Sequence, residues 1–232
     1  MKTDTGFWMR DAGKDNYHKV LLSRIQYPAS GVQYPEFRFN VLYSSWKGSI
    51  MQKKAIPLKR ANRLINDGCT ILVTSRHEDR ESIITLAWQS PASASPPMAV
   101  ISVGPSRYSH DLISQSGEFV INVPPFSLLK ETVYCGTVSG RDGDKFAGAG
   151  LTREAAEIVS APLIAECIGH LECRVVNEVT AGDHTLFLGQ VAAASVVEGL
   201  WDEVWQVDRE AARTIHHLGG SFFCAPEKIV TI

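Results

Sequence analysis

The stretch TLAWQSPASASPPMAVISVGPSRYSHDLISQSGEFVINVP, residues 85–124, decides how the whole chain is read. It opens on the tail of a strand that ends at Trp88; Pro91, Pro96 and Pro97 among Ala and Ser then make QSPASASPP a loop. MAVISVG (98–104) follows as a strand. SRYSHDLISQSG (106–117) predicts a helix: Ser106 caps it, Leu112 and Ile113 supply its buried side, and Gly117 ends it. EFVINV (118–123) is the next strand.

The junction GPSRYSH (104–110) is where local chemistry enters. A strand ends and a helix begins, so free N–H groups and the helix dipole favour a phosphate there. Arg107 adds a forked donor set matched to phosphate oxygens, and Ser109 adds a hydroxyl. A capped helix with an exposed arginine is the competing reading of the same residues. Neither G-x-G-x-x-G nor G-x-x-x-x-G-K-[ST] occurs, so dinucleotide folds and P-loops find no support.

Upstream, CTILVTS (69–75) and SIITLAW (82–88) read as a hairpin across the polar HEDRE. LKRANRLIND (58–67) carries Leu58, Ala61, Leu64 and Ile65 at helical spacing, with Gly68 as its stop. Downstream, SLLKETVYC (127–135) predicts a helix capped by Ser127, and SGRDGDKFAGAGLT (139–152) a glycine-rich loop with at most one helical turn. HLECRVVNEV (170–179) and HTLFLGQVAAASVV (184–197) alternate as two long strands about an AGD turn, and 208–217 reads as a late helix. Many strands with few helices, out of regular βαβ order, favour a barrel or α+β sheet over a doubly wound fold.

The 232 residues suit one domain with an extension. We divide them into an irregular aromatic-rich arm (1–50) and a main domain (51–232). Tyr27, Tyr34, Phe37, Phe39, Tyr43 and Trp46 make the arm too apolar for a solvated tail, so it is expected to lie on the main domain or on a partner subunit. A net charge of −2 gives no reason to expect nucleic acid. No apolar run spans a membrane, and MKTDTGFWMRDAGKDN lacks a signal-peptide core, so a soluble, cytoplasmic protein is expected. Cys69, Cys135, Cys167, Cys173 and Cys224 are odd in number and form no CxxC pair. Reduced, mostly buried thiols are expected, with no disulfide framework and no metal site, at His216 and His217 included.

Three blocks in order, namely residues 85–124, YCGTVSGRDGDKF (134–146) and AGDHTLFLGQV (181–191), resemble the flavin reductase-like family. The resemblance runs from about Pro57 to the C-terminus. It implies a mostly β fold with α: an FMN-binding split β-barrel of Greek-key type with peripheral helices, a homodimer with the flavin near the subunit interface. By the same resemblance Thr85, Leu86, Ala87 and Trp88 lie along the flavin, with the Trp88 ring as an apolar wall. Ser102, Arg107 and Ser109 go to the ribityl phosphate, and His110 is an auxiliary donor or an exposed helix residue. Lys145 and Phe146 of the DKF triplet join the cofactor site. An ammonium at Lys145 would stabilise negative charge on a reduced flavin, and Asp144 either contributes or caps the turn. His184 is the implied catalytic residue, donating to a flavin carbonyl or managing a proton.

Two departures stand out. HEDRE replaces the Asp-Gly turn and following asparagine of many relatives, with Ser82 at the asparagine's place, and the arm has no counterpart. The implied activity passes electrons from NAD(P)H through FMN to free flavin or a redox partner protein. The alternative is an FMN-binding electron carrier without NAD(P)H activity of its own; a flavin oxidase or oxygenase, suggested only by the arm, is a weaker third reading.

Overall fold

The computed structural model describes residues 55–66 and 68–231; the arm assigned to 1–50 lies outside them. Strands β1 (Ile71–His77) and β2 (Arg80–Leu86) pair antiparallel about Glu78-Asp79, with His77 opposite Arg80. Next come β3 (Gln89–Ala94), β4 (Pro97–Val103), helix α1 (Tyr108–Ser116) and β5 (Glu118–Val123). Helices α2 (Leu129–Thr137) and α3 (Lys145–Ala149) precede a short pair, β6 (Arg153–Glu154) with β7 (Leu163–Ile164). The long hairpin β8 (Gly169–Ala181) and β9 (His184–Val196) turns at Gly182-Asp183. Two small hairpins end the chain: β10 (Trp201–Asp202) with β11 (Val204–Trp205), and β12 (His216–Gly219) with β13 (Phe222–Cys224).

Seven strands form one antiparallel sheet in the order β2-β1-β5-β8-β9-β4-β3. Its two edge strands, β2 and β3, are consecutive in sequence and joined only by Ala87-Trp88. Laid flat, six strand spacings would separate those edges by roughly 29 Å. The three Cα steps from Leu86 to Gln89 reach at most about 11 Å. The sheet therefore curls until its margins meet at Trp88, whose carbonyl accepts a bond from Ser102 N of β4 at 3.0 Å. The expected fold class, a mostly β barrel with a few peripheral helices, is the one observed.

Alternation along the strands fills the barrel. Val73, Leu86, Ile101, Ile121, Cys173 and Phe187 come from six strands and share one buried cluster with Ile113 of α1. The opposite faces of β1 and β2 present Leu72 and Ile83 to Cys135 of α2 and Phe146 of α3, a second cluster outside the barrel. Among the described residues no helix is long and apolar enough to cross a membrane.

Several local expectations are corrected. QSPASASPP is largely strand β3; a proline survives there because β3 is an edge, where a missing N–H costs no ladder bond. Residues 58–64 form a 3-10 helix with Leu64 and Ile65 exposed, so the expected apolar face buries nothing at these positions. The late helix shrinks to Glu210–Ala212, and the chain then runs extended, Thr214 bridging to Pro125 and His216 to Cys69. Tertiary pairing overrides helix propensity in that segment. Neither Ser106 nor Ser127 caps a helix: the N-caps are Arg107 and Leu128, without side-chain bonds. Gly117 does end α1 in the left-handed region, at φ 67°.

Candidate functional site

A cavity of about 1040 Å³ opens where β2 ends, α1 begins, and the C-terminal hairpin folds over. Thr85, Leu86, Ala87, Trp88, Ser102, Arg107, Ser109, Lys145 and His184 all line it. Phe146 does not. Its ring is buried in the cluster outside the barrel, with the Arg153 guanidinium 4.3 Å above its centroid. The same helix thus turns Lys145 toward the cavity and Phe146 into the core.

Arg107 has extended backbone (φ −79°, ψ 137°) at the mouth of α1. Its guanidinium is exposed and makes no hydrogen bond or ion pair among the described residues. Arg141, also in the lining, is committed to protein. It bonds Asp111 at 2.7 Å and the Ser106 carbonyl at 3.0 Å, and lies over the Tyr108 ring. These contacts strap the glycine-rich loop to the start of α1. Gly140 makes the strap possible, because a Cβ there would collide with Ser82 Oγ and come within 2.7 Å of Tyr108 Cδ1.

Lys145 opens α3, whose N-cap Asp144 accepts bonds from Phe146 N and Ala147 N. Arg153 clamps that cap, bonding Asp144 at 2.7 Å and pairing with Glu81 of β2. The Lys145 ammonium is almost wholly buried and donates to the carbonyls of Ile83 and Cys135, each at 2.7 Å. A lysine has three donors, so one remains for the cavity. Burial pushes its pKa below the ordinary lysine value; Cys135 opposes that shift and Arg107 adds to it.

Trp88 is 41% exposed, its ring forming a wall of the cavity. The indole N–H donates to Asn66 Oδ1 at 2.7 Å. Asn66 Nδ2 in turn lies 3.1 Å from His217 Nδ1, and His217 Nε2 lies 3.0 Å from the Gly220 carbonyl. A carbonyl only accepts, so Nε2 carries the proton and Nδ1 accepts from Asn66. The His184 ring sits 4.8 Å from that of Trp88, its Nδ1 2.8 Å from Asp183 Oδ1. His110 is turned from the cavity, bonded to Thr185 at 2.8 Å.

Sequence reasoning missed Asn66, His217 and the Gly219-Gly220 turn, because no motif marks them and the Asn66–His217 contact spans 151 residues. It also missed the electrostatics. Among the described residues the lining holds five cations (Arg63, Arg107, Lys130, Arg141 and Lys145) and no Asp or Glu, in a chain whose net charge is −2. Two lining hydroxyls, Thr70 Oγ1 and Thr132 Oγ1, are buried without a partner. Such a cavity favours an anionic ligand with polar groups to satisfy.

The cysteines are free thiols, three of them buried, with Cys69 half-buried and Cys224 exposed. Burial pushes Cys69 and Cys135 up to about 11, so neither is a ready thiolate at neutral pH. Among the described residues no three His, Cys, Asp or Glu gather as a metal set.

Residues 63–212 match the family described as flavin reductase like domain. The chain is 36% identical over 181 residues to the uncharacterized protein YddH of Escherichia coli (strain K12), covering 76% of this chain and 96% of that protein. It is 29% identical over 144 residues to an NADH-dependent FAD reductase of Streptomyces globisporus, covering 62% of this chain and 77% of the relative. Flavoredoxin from Methanosarcina acetivorans, a solved structure, is similar with a TM-score of 0.67 and 25% identity, over 78% of this chain and 95% of that one. The protein belongs to the flavin reductase like family.

Proposed function

We propose that this protein binds FMN in the cavity and passes electrons from NAD(P)H through it to free flavin or a partner protein. One observation carries the reading: a single cavity is lined by an unpaired arginine at a helix mouth, an indole wall, a buried lysine and a histidine. The residues fit the cofactor on their own terms. Arg107 and Ser109 suit a phosphate, and Trp88 suits a flat ring system.

The chemistry a bound flavin supplies is acceptance of a hydride, two electrons with one proton, and later release of the electrons to an acceptor. The protein's own part is placement and charge. Lys145 would hold a positive charge beside the ring, and its lowered pKa marks a cation that gains by meeting an anion. His184, fixed through Nδ1 by Asp183, leaves Nε2 to donate or receive a proton in the cavity. The Trp88–Asn66–His217 chain fixes one wall of the cavity.

Purified protein loaded with FMN should keep it through desalting, and anaerobic NADH or NADPH should bleach the flavin band. A retained flavin that neither nucleotide bleaches would favour the electron-carrier alternative, and a flavin lost on desalting would remove the reading. A homodimer is proposed with it, supported by exposed Val176, Val179 and Val196 on the β8–β9 hairpin and Val197 just after it. Sedimentation of the FMN-loaded protein as a monomer at micromolar concentration would exclude the dimer.

A further inference from the structure

The cavity does not end at the indole. From Arg107 its wall passes Gly104 to His184, then Trp88, then through the 2.7 Å bond to Asn66 and on to His217 and Gly219. At that far end stands Arg63. Its Cδ, Nε and Nη1 atoms lie 3.4 to 3.6 Å from where a Gly219 Cβ would be. Among the described residues it makes, like Arg107, no hydrogen bond or ion pair, and none of them places a carboxylate in the cavity lining to answer it. Two guanidiniums without a partner among the described residues thus stand at the two ends of a run of contacts that passes through Trp88. In the same lining the Thr70 hydroxyl is 1% exposed and unpaired.

An FMN has one phosphate, at the end of a chain that leads away from its ring. With that phosphate at Arg107 and the ring against Trp88, Arg63 lies beyond the ring, where the cofactor carries no anion. Resting on the flavin reading above, we propose that Arg63 is a second anion subsite, which grips a phosphate of the electron donor, a nicotinamide nucleotide. The separation has a chemical use. The donor's nicotinamide must lie against the flavin ring, and its phosphates must then leave on the side away from the flavin's own phosphate, because two like-charged groups cannot share Arg107 without repulsion. Arg63 meets them there, with its neighbour Asn62 lining the same wall.

The test uses the full chain loaded with FMN and titrated by calorimetry with NAD⁺ or ADP, probes that do not reduce the flavin. Arg63→Ala is expected to weaken both about tenfold and to raise the KM for the donor by a similar factor, with kcat and FMN affinity changed less than twofold. Arg63→Lys should recover part of the loss, keeping the charge but not the fork. Arg107→Ala should do the opposite, weakening FMN at least tenfold. Unchanged NAD⁺ affinity and KM in Arg63→Ala would overturn the proposal. So would equal weakening of FMN and NAD⁺, or an FMN-loaded native protein that binds neither probe. A native protein that does not retain FMN would instead remove the underlying flavin reading, and the subsite with it.

Discussion

Trp88 Nε1 donates to Asn66 Oδ1 at 2.7 Å, joining the residue where the barrel closes to a buried amide ahead of the first strand. Asn66 passes the contact on to His217, so three segments distant in sequence set one wall of the cavity. Asn66→Ala should destabilise the fold by about 1–2 kcal/mol, since it strips the indole of its acceptor and His217 of its donor. FMN affinity should fall several-fold with it. Asn66→Asp keeps the acceptor but removes the donor, and should fall between the two in urea unfolding and flavin fluorescence titration. Equal stability in all three proteins would mean the relay holds nothing.

Lys145 is a buried cation satisfied by two carbonyls. Lys145→Met should weaken FMN about tenfold, near 1.4 kcal/mol. It should also move the flavin midpoint potential to more negative values, because a positive charge beside the ring favours its reduced form. Dye-equilibration potentiometry reads the shift directly, and an unmoved midpoint would reduce Lys145 to a structural role.

Asp144 caps the helix that begins with Lys145, and the Arg153 hydrogen bond holds its carboxyl below the ordinary value near 3.8. A depressed folded pKa contributes stability that is present above the unfolded value and lost as pH falls through the folded one. Asp144→Ala should therefore cost about 1 kcal/mol at pH 7, the size of a lost N-cap, with little added by its solvent-screened ion pair. The difference from the native protein should shrink below pH 3.8, measured by denaturant unfolding across pH.

Gly140→Ala places a methyl against Ser82 and Tyr108, where the glycine-rich loop is strapped to α1. Overpacking of this kind costs about 1–3 kcal/mol. The loop should lift, releasing Arg141 from Asp111, with a lower melting temperature and weaker FMN binding. Gly143→Ala, where a Cβ meets nothing within 4 Å, serves as the control and should leave both unchanged.

Much of the barrel is legible in the sequence because β1, β2, β4 and β5 carry short runs of β-branched and other apolar residues, and glycines mark true ends at Gly117 and Gly182. The strand hidden in QSPASASPP is not, since its prolines signal a turn unless its place at the sheet's edge is already known. The late segment misleads for a related reason. Ala212 and Ile215 are both buried at a spacing that fits a helix, yet the chain there pairs with Cys69 and Pro125, more than 80 residues away. At the cavity, the Arg107 end carries a local chemical signal, a strand end followed by a helix start, whereas Lys145 is reached only through the family resemblance. Asn66, His217 and Arg63 carry no motif; only closure of the barrel brings them together. Phe146 shows the limit of a triplet read as a unit, because consecutive helical residues face different ways.

The single covalent passage between the sheet's two margins runs through Ala87 and Trp88. The fastening of the molecule and the wall of its binding chamber are therefore one object. Occupancy must brace the clasp, so amide exchange along β2 and β3 should slow when the chamber is filled, and any loosening of the clasp should empty it.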